Sequence, residues 1–151
     1  MGADKSPTEL LSSLPLAARM MLACAPDTSE GNVQPRAISR ANAEHYLWGQ
    51  QSDGWHLSRD QKLSVIEEQM QPGTGEVLHY HRVAQQFFYM LSGEAMMEMD
   101  GHDFRLIAGE GIHIPPGALH RIRNESQGAI RFLVVSQPPS HGDRVLVETS
   151  A

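Results

Sequence analysis

The sequence predicts one all-β domain, on three observations. After about residue 37, short β-rich segments alternate with Gly, Pro, Asn and Asp, and no apolar run has the length and period of a buried helix. Asp100-Gly101 separates two of these segments and supplies the positive-φ positions of a tight hairpin turn. With 151 residues, 40% of them hydrophobic, the chain has room for one domain with a proper core. Many short strands in so short a chain favour a sandwich or small barrel, such as a jelly roll.

The predicted strands are short runs bounded by turn residues. Ser92-Gly93 and Pro116-Gly117 mark two turns besides Asp100-Gly101. The strands are expected at residues 46–49, 54–57, 62–70, 76–81, 86–92, 94–100, 102–107, 111–114, 119–124, 129–136 and 144–147.

The first part of the chain has a different pattern, which predicts an N-terminal extension over residues 1–36 before a domain over residues 37–151. A capping box beginning at Ser6 predicts one short helix, and the apolar residues of 16–25 predict a second. Polar, Gly- and Pro-containing residues 27–36 predict a linker between the extension and the domain.

Charge and composition exclude several classes of function. The chain has 18 acidic and 12 basic residues and a net charge of -6, which disfavours nucleic acid and anionic membrane surfaces as partners. The single cysteine, Cys24, cannot form an intramolecular disulfide, and no apolar run is long enough to span a bilayer. No basic leader precedes the apolar residues 14–25, so we expect a cytoplasmic protein.

Three histidines and a glutamine stand at positions that could share one metal ion. His79 and His81 are two residues apart on a predicted strand, so both side chains point to the same face. His120 lies on a later strand, and Gln86 begins the strand that follows His81. Imidazole nitrogens and an amide oxygen suit one divalent transition metal per chain, namely Zn, Fe, Ni or Mn. The alternative is a chance pair of surface or core histidines, since the chain has 8.

The spacing around these residues resembles the two conserved motifs of the cupin superfamily. Residues 73–93 fit G-x5-H-x-H-x4-Q-x6-G, which is the first motif with Gln86 where cupins usually have Glu. Residues 109–124 fit G-x5-P-x-G-x2-H-x3-N, which is the second motif at every fixed position. The resemblance implies a jelly-roll barrel with the metal inside. It implies four metal ligands, which are His79, His81, Gln86 and His120.

Gln86 in place of a carboxylate affects the expected chemistry. Four neutral ligands leave the charge of a divalent ion uncompensated, which favours an anionic substrate and Lewis-acid catalysis. The sequence therefore favours a metalloenzyme of the isomerase, lyase or cyclase type, acting on a small, oxygen-rich, anionic substrate. A metal-dependent dioxygenase and a ligand-binding cupin without turnover are the alternatives. Two further alternatives concern the ligands: Gln85 could replace Gln86, or Gln86 could support the ligands without binding the metal.

Two groups of residues are candidates for the wall of a substrate pocket. The first shares its inward direction with the proposed ligands, and its members could either fill the core or contact a substrate. It consists of Phe88, Met90 and Ile122. The second lies on the early strands, where edge packing and a dimer interface are the alternatives. It consists of Tyr46, Trp48 and Trp55.

Three remaining expectations concern the ends of strands and the assembly. Asn124 shares the direction of His120 and is expected to have a structural role, whereas Arg121 and Arg123 should face solvent. The His141–Arg144 segment is expected to form a turn stabilised by its own Asp and Arg, or alternatively to reach over the mouth of the barrel. The resemblance to the cupins also implies a homodimer, and exposed strand edges favour the same assembly here.

Overall fold

The computed structural model describes residues 35–147, and its regular elements are all β-strands. In chain order these are β1 (Glu44–Trp48), β2 (Ser52–Arg59), β3 (Ser64–Met70), β4 (His79–His81), β5 (Gln85–Ser92), β6 (Glu94–Met99), β7 (His102–Ile107), β8 (Gly111–Ile114), β9 (His120–Arg123), β10 (Ile130–Gln137) and β11 (Arg144–Leu146). Each predicted strand is present, but β4 is limited to His79–His81 where the prediction began at residue 76.

The strands form two antiparallel sheets. One has the order β1-β2-β3-β10-β5-β8 and the other the order β11-β4-β9-β6-β7. Most neighbouring pairs join distant parts of the chain, as β3 and β10 do, and this is the connectivity of a jelly roll. The predicted all-β fold is therefore confirmed, while the two predicted N-terminal helices lie outside the described residues.

The hairpin between β6 and β7 shows how local sequence fixes the register. Asp100 has φ 48° and Gly101 φ 80°, as a two-residue turn with both central residues in the left-handed region requires. The turn places Met99 opposite His102 and continues in register to Glu94 opposite Ile107. The predicted Asp-Gly hairpin is confirmed.

The core is built from residues that alternate along the strands of both sheets. In β5 and β10 every second side chain is buried, which brings the rings of Phe88 and Phe132 to a centroid distance of 6.0 Å. Met70, Met90 and Met97 are fully buried in the same cluster, where their flexible side chains fill irregular space between the sheets.

The end of β9 is fixed by a buried side chain and by ion pairs. The Asn124 amide donates to the carbonyls of Met70 at 3.1 Å and Gly128 at 2.8 Å, which supports the structural role expected for it. The expectation of solvent-facing arginines is wrong in part. Arg121 and Arg123 are half-buried and both pair with Glu98, at 2.6 and 2.8 Å, because the β6–β9 pairing brings that carboxylate between them.

Residues 35–147 contain no helix with the length and apolarity to cross a bilayer.

Candidate metal centre and its cavity

The pairing of β4 with β9 brings the three predicted histidines together. His79 lies directly opposite His120, and His81 shares the face of His79 two residues further along β4. The three side chains are only 2%, 4% and 0% exposed, for His79, His81 and His120 respectively. One potential ligand nitrogen from each lies within 4.8 Å of the others, so the three residues could hold a metal ion.

Hydrogen bonds to the backbone orient two of the rings in the same way. Nδ1 of His79 lies 2.8 Å from the carbonyl of Val77, and Nδ1 of His120 lies 2.9 Å from the carbonyl of Ala118. An Nδ1–H that donates to a carbonyl two residues back leaves the lone pair of Nε2 free to bind a metal. The fixed tautomer is therefore suited to coordination.

The third ring has no such partner. Nδ1 of His81 is buried and makes no hydrogen bond within residues 35–147. Buried polar atoms are normally satisfied, and a bound cation would satisfy an imidazole nitrogen at this position. This orphaned nitrogen indicates that the residues present fit a metal ion.

Burial also keeps the rings neutral. It lowers the pKa of His79 to about 3, helped by the neighbouring His120, and it lowers the pKa of His120 to about 4. The pKa of His81 is lowered as well, again mainly by burial. Neutral imidazoles at physiological pH are the form that binds metals, so proton competition at the site is weak.

Gln86 joins the cluster from the other sheet. Its Oε1 lies 2.9 Å from Nε2 of His120, and its amide nitrogen donates to the Ser136 hydroxyl at 3.2 Å. Ser136 is the cross-strand partner of Gln86 in the β5–β10 pairing, so it holds the amide with the oxygen towards the histidines. Because Nδ1–H of His120 donates to the Ala118 carbonyl, Nε2 of His120 carries a lone pair. That lone pair faces a lone pair of the Gln86 Oε1 atom, and a cation would satisfy both.

The structure distinguishes between the two candidate glutamines. The side chain of Gln85 interacts with Gln137 at 2.7 Å and with His113 at 2.9 Å, whereas Gln86 alone of the two reaches His120. Successive residues of a strand point to opposite faces, which separates Gln85 from the cluster. Ser136 was not among the candidates, because only the register of β5 with β10 reveals that it faces Gln86.

A cavity of about 280 Å³ adjoins His79, His81 and Gln86. Of the residues proposed from sequence for a pocket wall, Tyr46, Trp48 and Phe88 line it. The other three lie elsewhere. Met90 and Ile122 are fully buried in the core cluster, and Trp55 packs against His45 and Arg40, which together lie outside the cavity.

Two carboxyl groups line the cavity, Glu68 on β3 and Glu76 in the segment before β4. The Tyr46 hydroxyl donates to Oε1 of Glu68 at 3.0 Å, and Glu76 lines the same cavity. Burial raises the pKa of Glu68 to about 8, with a further contribution from the charge of Glu76, and burial raises the pKa of Glu76 to about 7. Burial raises the pKa of Tyr46 too, so its hydroxyl stays protonated. The two carboxyl groups of the cavity lining can therefore exchange protons near neutral pH.

The His141–Arg144 segment closes one side of the cavity. The Asp143 carboxylate accepts hydrogen bonds from the backbone N–H groups of Arg82, Val83 and Ala84, at 3.1, 2.9 and 2.8 Å. The expected stabilisation by an Asp143–Arg144 pair is thus replaced by one between Asp143 and the β4–β5 turn. Arg144 instead lines the cavity, as the alternative of a segment at the barrel mouth predicts.

Comparison with known proteins agrees with this arrangement. The family model described as a cupin domain matches residues 66–136, which contain the three histidines and Gln86. An uncharacterized protein of Methanocaldococcus jannaschii is 33% identical over 88 residues, covering 58% of this chain and 70% of that protein.

Two further similarities involve proteins with named activities. The quercetin 2,3-dioxygenase of Bacillus subtilis is 31% identical over 67 residues, which are 44% of this chain and 20% of that enzyme. The polyketide cyclase RemF from Streptomyces resistomycificus has a solved structure that superposes with a TM-score of 0.66 at 20% identity, covering 78% of this chain and 88% of that one. The second similarity concerns the fold alone.

Proposed function

Because the chain belongs to the cupin superfamily, we propose that it is a metalloenzyme that binds one divalent transition metal and acts on a small, oxygen-rich, anionic substrate. The observation that carries the proposal is the buried cluster of His79, His81 and His120 with its orphaned His81 nitrogen, directly beside a cavity. His79, His81, His120 and Gln86 would hold the ion.

A divalent ion at this position would supply Lewis-acid polarisation of a substrate oxygen. The protein's own groups supply the rest. Ser136 keeps the Gln86 oxygen directed at the histidines, and Phe88 and Trp48 form the apolar part of the wall. Glu68, with a pKa of about 8, can hold or release a proton within the same cavity at neutral pH.

Electrostatics favour the isomerase, lyase or cyclase class. The three imidazoles are neutral and Gln86 carries no charge, so no ligand compensates the charge of a bound cation. An anionic substrate benefits from that excess charge, and reactions of these classes need proton movement without net oxidation. Proton exchange at Glu68 is consistent with such a reaction.

A dioxygenase is the second candidate, favoured by the 31% identity to a quercetin 2,3-dioxygenase. A set of three histidines also suits non-haem iron when a fourth position is available to another ligand. The two candidates differ in the metal they need and in whether oxygen is consumed.

Elemental analysis of protein purified without a nickel column or chelator tests both candidates. Near-stoichiometric zinc, nickel or manganese is the expected result for Lewis-acid chemistry. Near-stoichiometric iron, together with oxygen consumption on addition of a phenolic or enolic compound, would favour the dioxygenase. No bound metal, and none acquired on titration, would overturn the proposal and leave a metal-free binding barrel.

We also propose that the protein is a cytoplasmic homodimer. Phe87 and Tyr89 on the outer face of β5 are exposed and lie 6.3 Å apart, and such aromatic surface supports association. Light scattering at micromolar concentration is expected to give twice the chain mass, and a monomer would contradict the proposal.

A further inference from the structure

A row of three residues crosses the sheet beside the histidine cluster. Tyr46 of β1 lies opposite Gly54 of β2, and Gly54 lies opposite Glu68 of β3. A Cβ atom on Gly54 would be only 2.2 Å from Cζ of Tyr46, so any larger residue would displace the ring. The glycine lets Tyr46 reach across β2 and donate its hydroxyl hydrogen to Glu68 at 3.0 Å. The row therefore builds a polar wall from three strands.

Arg144 lies at the other side of the cavity. Among residues 35–147 it forms no salt bridge, whereas Arg123 and Arg131 pair with carboxylates at 2.8 and 2.7 Å. Its Nη2 lies 3.3 Å from Nδ1 of His79 and 3.5 Å from the carbonyl of Val77. Since Nδ1 of His79 already donates to that carbonyl at 2.8 Å, it offers Arg144 no lone pair. The guanidinium keeps donors available to a ligand.

We infer that the cavity binds a hydroxycarboxylate, whose carboxylate pairs with Arg144 and whose hydroxyl groups bind the Tyr46–Glu68 pair. The inference deepens the proposed function and rests on it for the cavity's role as the substrate site. In this inference Arg144 determines the specificity for anionic substrates, and the Tyr46–Glu68 pair determines the specificity for hydroxylated ones.

Charge and size support this ligand class. A guanidinium binds a carboxylate through two parallel hydrogen bonds, which makes arginine the preferred residue for that group. The Tyr46 hydroxyl and the Glu68 carboxyl together offer hydrogen-bond donors and acceptors to the hydroxyl groups of a ligand. A ligand with an apolar chain would leave these donors and acceptors unused. A cavity of about 280 Å³ admits a molecule of a few carbons and excludes large ligands.

Three probes of equal chain length separate the two halves of the inference. Gluconate has a carboxylate and hydroxyl groups, hexanoate has only the carboxylate, and sorbitol has only hydroxyl groups. Calorimetric titration of the metal-free protein is expected to give the tightest binding for gluconate. Hexanoate or sorbitol binding as tightly as gluconate would overturn the inference.

Substitution at the rim tests the carboxylate partner. Arg144→Met is expected to weaken gluconate and hexanoate by about tenfold or more, because a hydrogen bond to a charged group is lost, and to leave sorbitol unchanged. Arg82→Met is the matched control, since Arg82 is exposed on the neighbouring turn and does not line the cavity. Unchanged gluconate affinity in Arg144→Met would overturn the assignment. Arg144→Lys keeps the charge but loses the two parallel hydrogen bonds, so gluconate affinity is expected to fall by about threefold. This variant provides the test if Arg144→Met fails to fold.

Substitution in the polar row tests the hydroxyl partner. Tyr46→Phe removes one oxygen and is expected to weaken gluconate and sorbitol by about fivefold while leaving hexanoate unchanged. Equal losses for all three probes would contradict the assignment. The proposed function fails separately, because its test is metal uptake. A protein that binds no metal but still selects gluconate through Arg144 would overturn the metalloenzyme proposal and retain this inference.

Discussion

The two walls of the cavity face the same space but are stabilised in different ways. The β4–β9 pairing brings the histidines together, and short-range bonds then orient two of the rings, since His79 and His120 each hydrogen-bond a carbonyl two residues earlier in the chain. The opposite wall depends on contacts between strands, because Tyr46 reaches Glu68, which is 22 residues away in sequence. The three imidazoles are neutral and suited to a metal, while the opposite wall has the Glu68 carboxyl group, whose pKa is raised to about 8.

This difference separates two tasks within one small site. Local hydrogen bonds fix the tautomer and direction of the imidazoles, as a metal site requires. The polar wall needs β1, β2 and β3 in register. In the proposed hydroxycarboxylate site, this wall would bind the hydroxyl groups of the ligand. Damage to the second wall should therefore spare metal binding, whereas loss of a histidine should abolish it.

The largest effect is expected from removing one histidine of the first wall. His79→Ala or His120→Ala should lower the affinity for zinc by more than about 100-fold. Losing a residue that only supports a ligand already lowers metal affinity by about 10- to 100-fold, and losing the ligand itself should lower it further. Isothermal titration of metal-free protein with zinc measures this effect. His113→Ala is the control, since His113 is exposed and interacts with Gln85. Full zinc occupancy in both cluster variants would show that the ligand set is wrong.

Gly54→Ala should break the second wall and leave the first intact. The added methyl group collides with the Tyr46 ring, and overpacking of this kind costs about 2 kcal/mol of unfolding free energy. Chemical denaturation measures the loss, and zinc titration should give the wild-type affinity. Gly128→Ala is the control, because a Cβ there meets no atom within 4 Å. A parallel loss of zinc affinity in Gly54→Ala would show that the walls are not independent.

Ser136→Ala tests whether the orientation of the Gln86 amide matters for metal binding. Without the hydroxyl the amide is free to turn, and zinc affinity should fall by about tenfold, as is usual for a residue that orients a ligand. Gln86→Glu should retain metal, because a carboxylate presents oxygen in either orientation. An unchanged zinc affinity in Ser136→Ala would argue that Gln86 does not coordinate.

The smallest effect concerns pH. Glu68 has a folded-state pKa of about 8, above its ordinary value, so its protonated form stabilises the fold and that contribution is lost as pH rises through 8. The free energy of unfolding of metal-free protein should fall by about 1 kcal/mol between pH 7 and 9, allowing for partial solvent screening. Glu68→Gln should reduce this fall, as denaturation at several pH values would reveal, and an unreduced fall would contradict the raised pKa.

Most of the fold could be predicted because its signals are local. Asp100-Gly101 fixed one hairpin by its backbone preferences, and alternation of buried residues located strands such as β5 and β10. The histidine spacing needed only the rule that residues two apart share a face. These features depend on neighbours in sequence.

The rest of the site could not be predicted because it depends on pairing between distant strands. Ser136 faces Gln86 only in the β5–β10 register, and Tyr46 reaches Glu68 only across Gly54. Parity placed Met90 and Phe88 on the same inward face, but it could not distinguish the residue beside the cavity from the residue within the core. Parity predicts Arg121 and Arg123 in solvent, because the sequence does not reveal the β6–β9 pairing that brings Glu98 between them.

The Asp143 carboxylate, with its three backbone hydrogen bonds to Arg82, Val83 and Ala84, makes the C-terminal tail part of the site. That turn connects His81 to Gln86, so one side chain near the end of the chain anchors the spacing between two proposed ligands. Proteolytic removal of the residues after Gly142 would delete a strand of only 3 residues, yet it would release this turn and Arg144 together. Shortening the chain at this point for crystallisation or fusion would thus disturb the candidate metal centre and its cavity together.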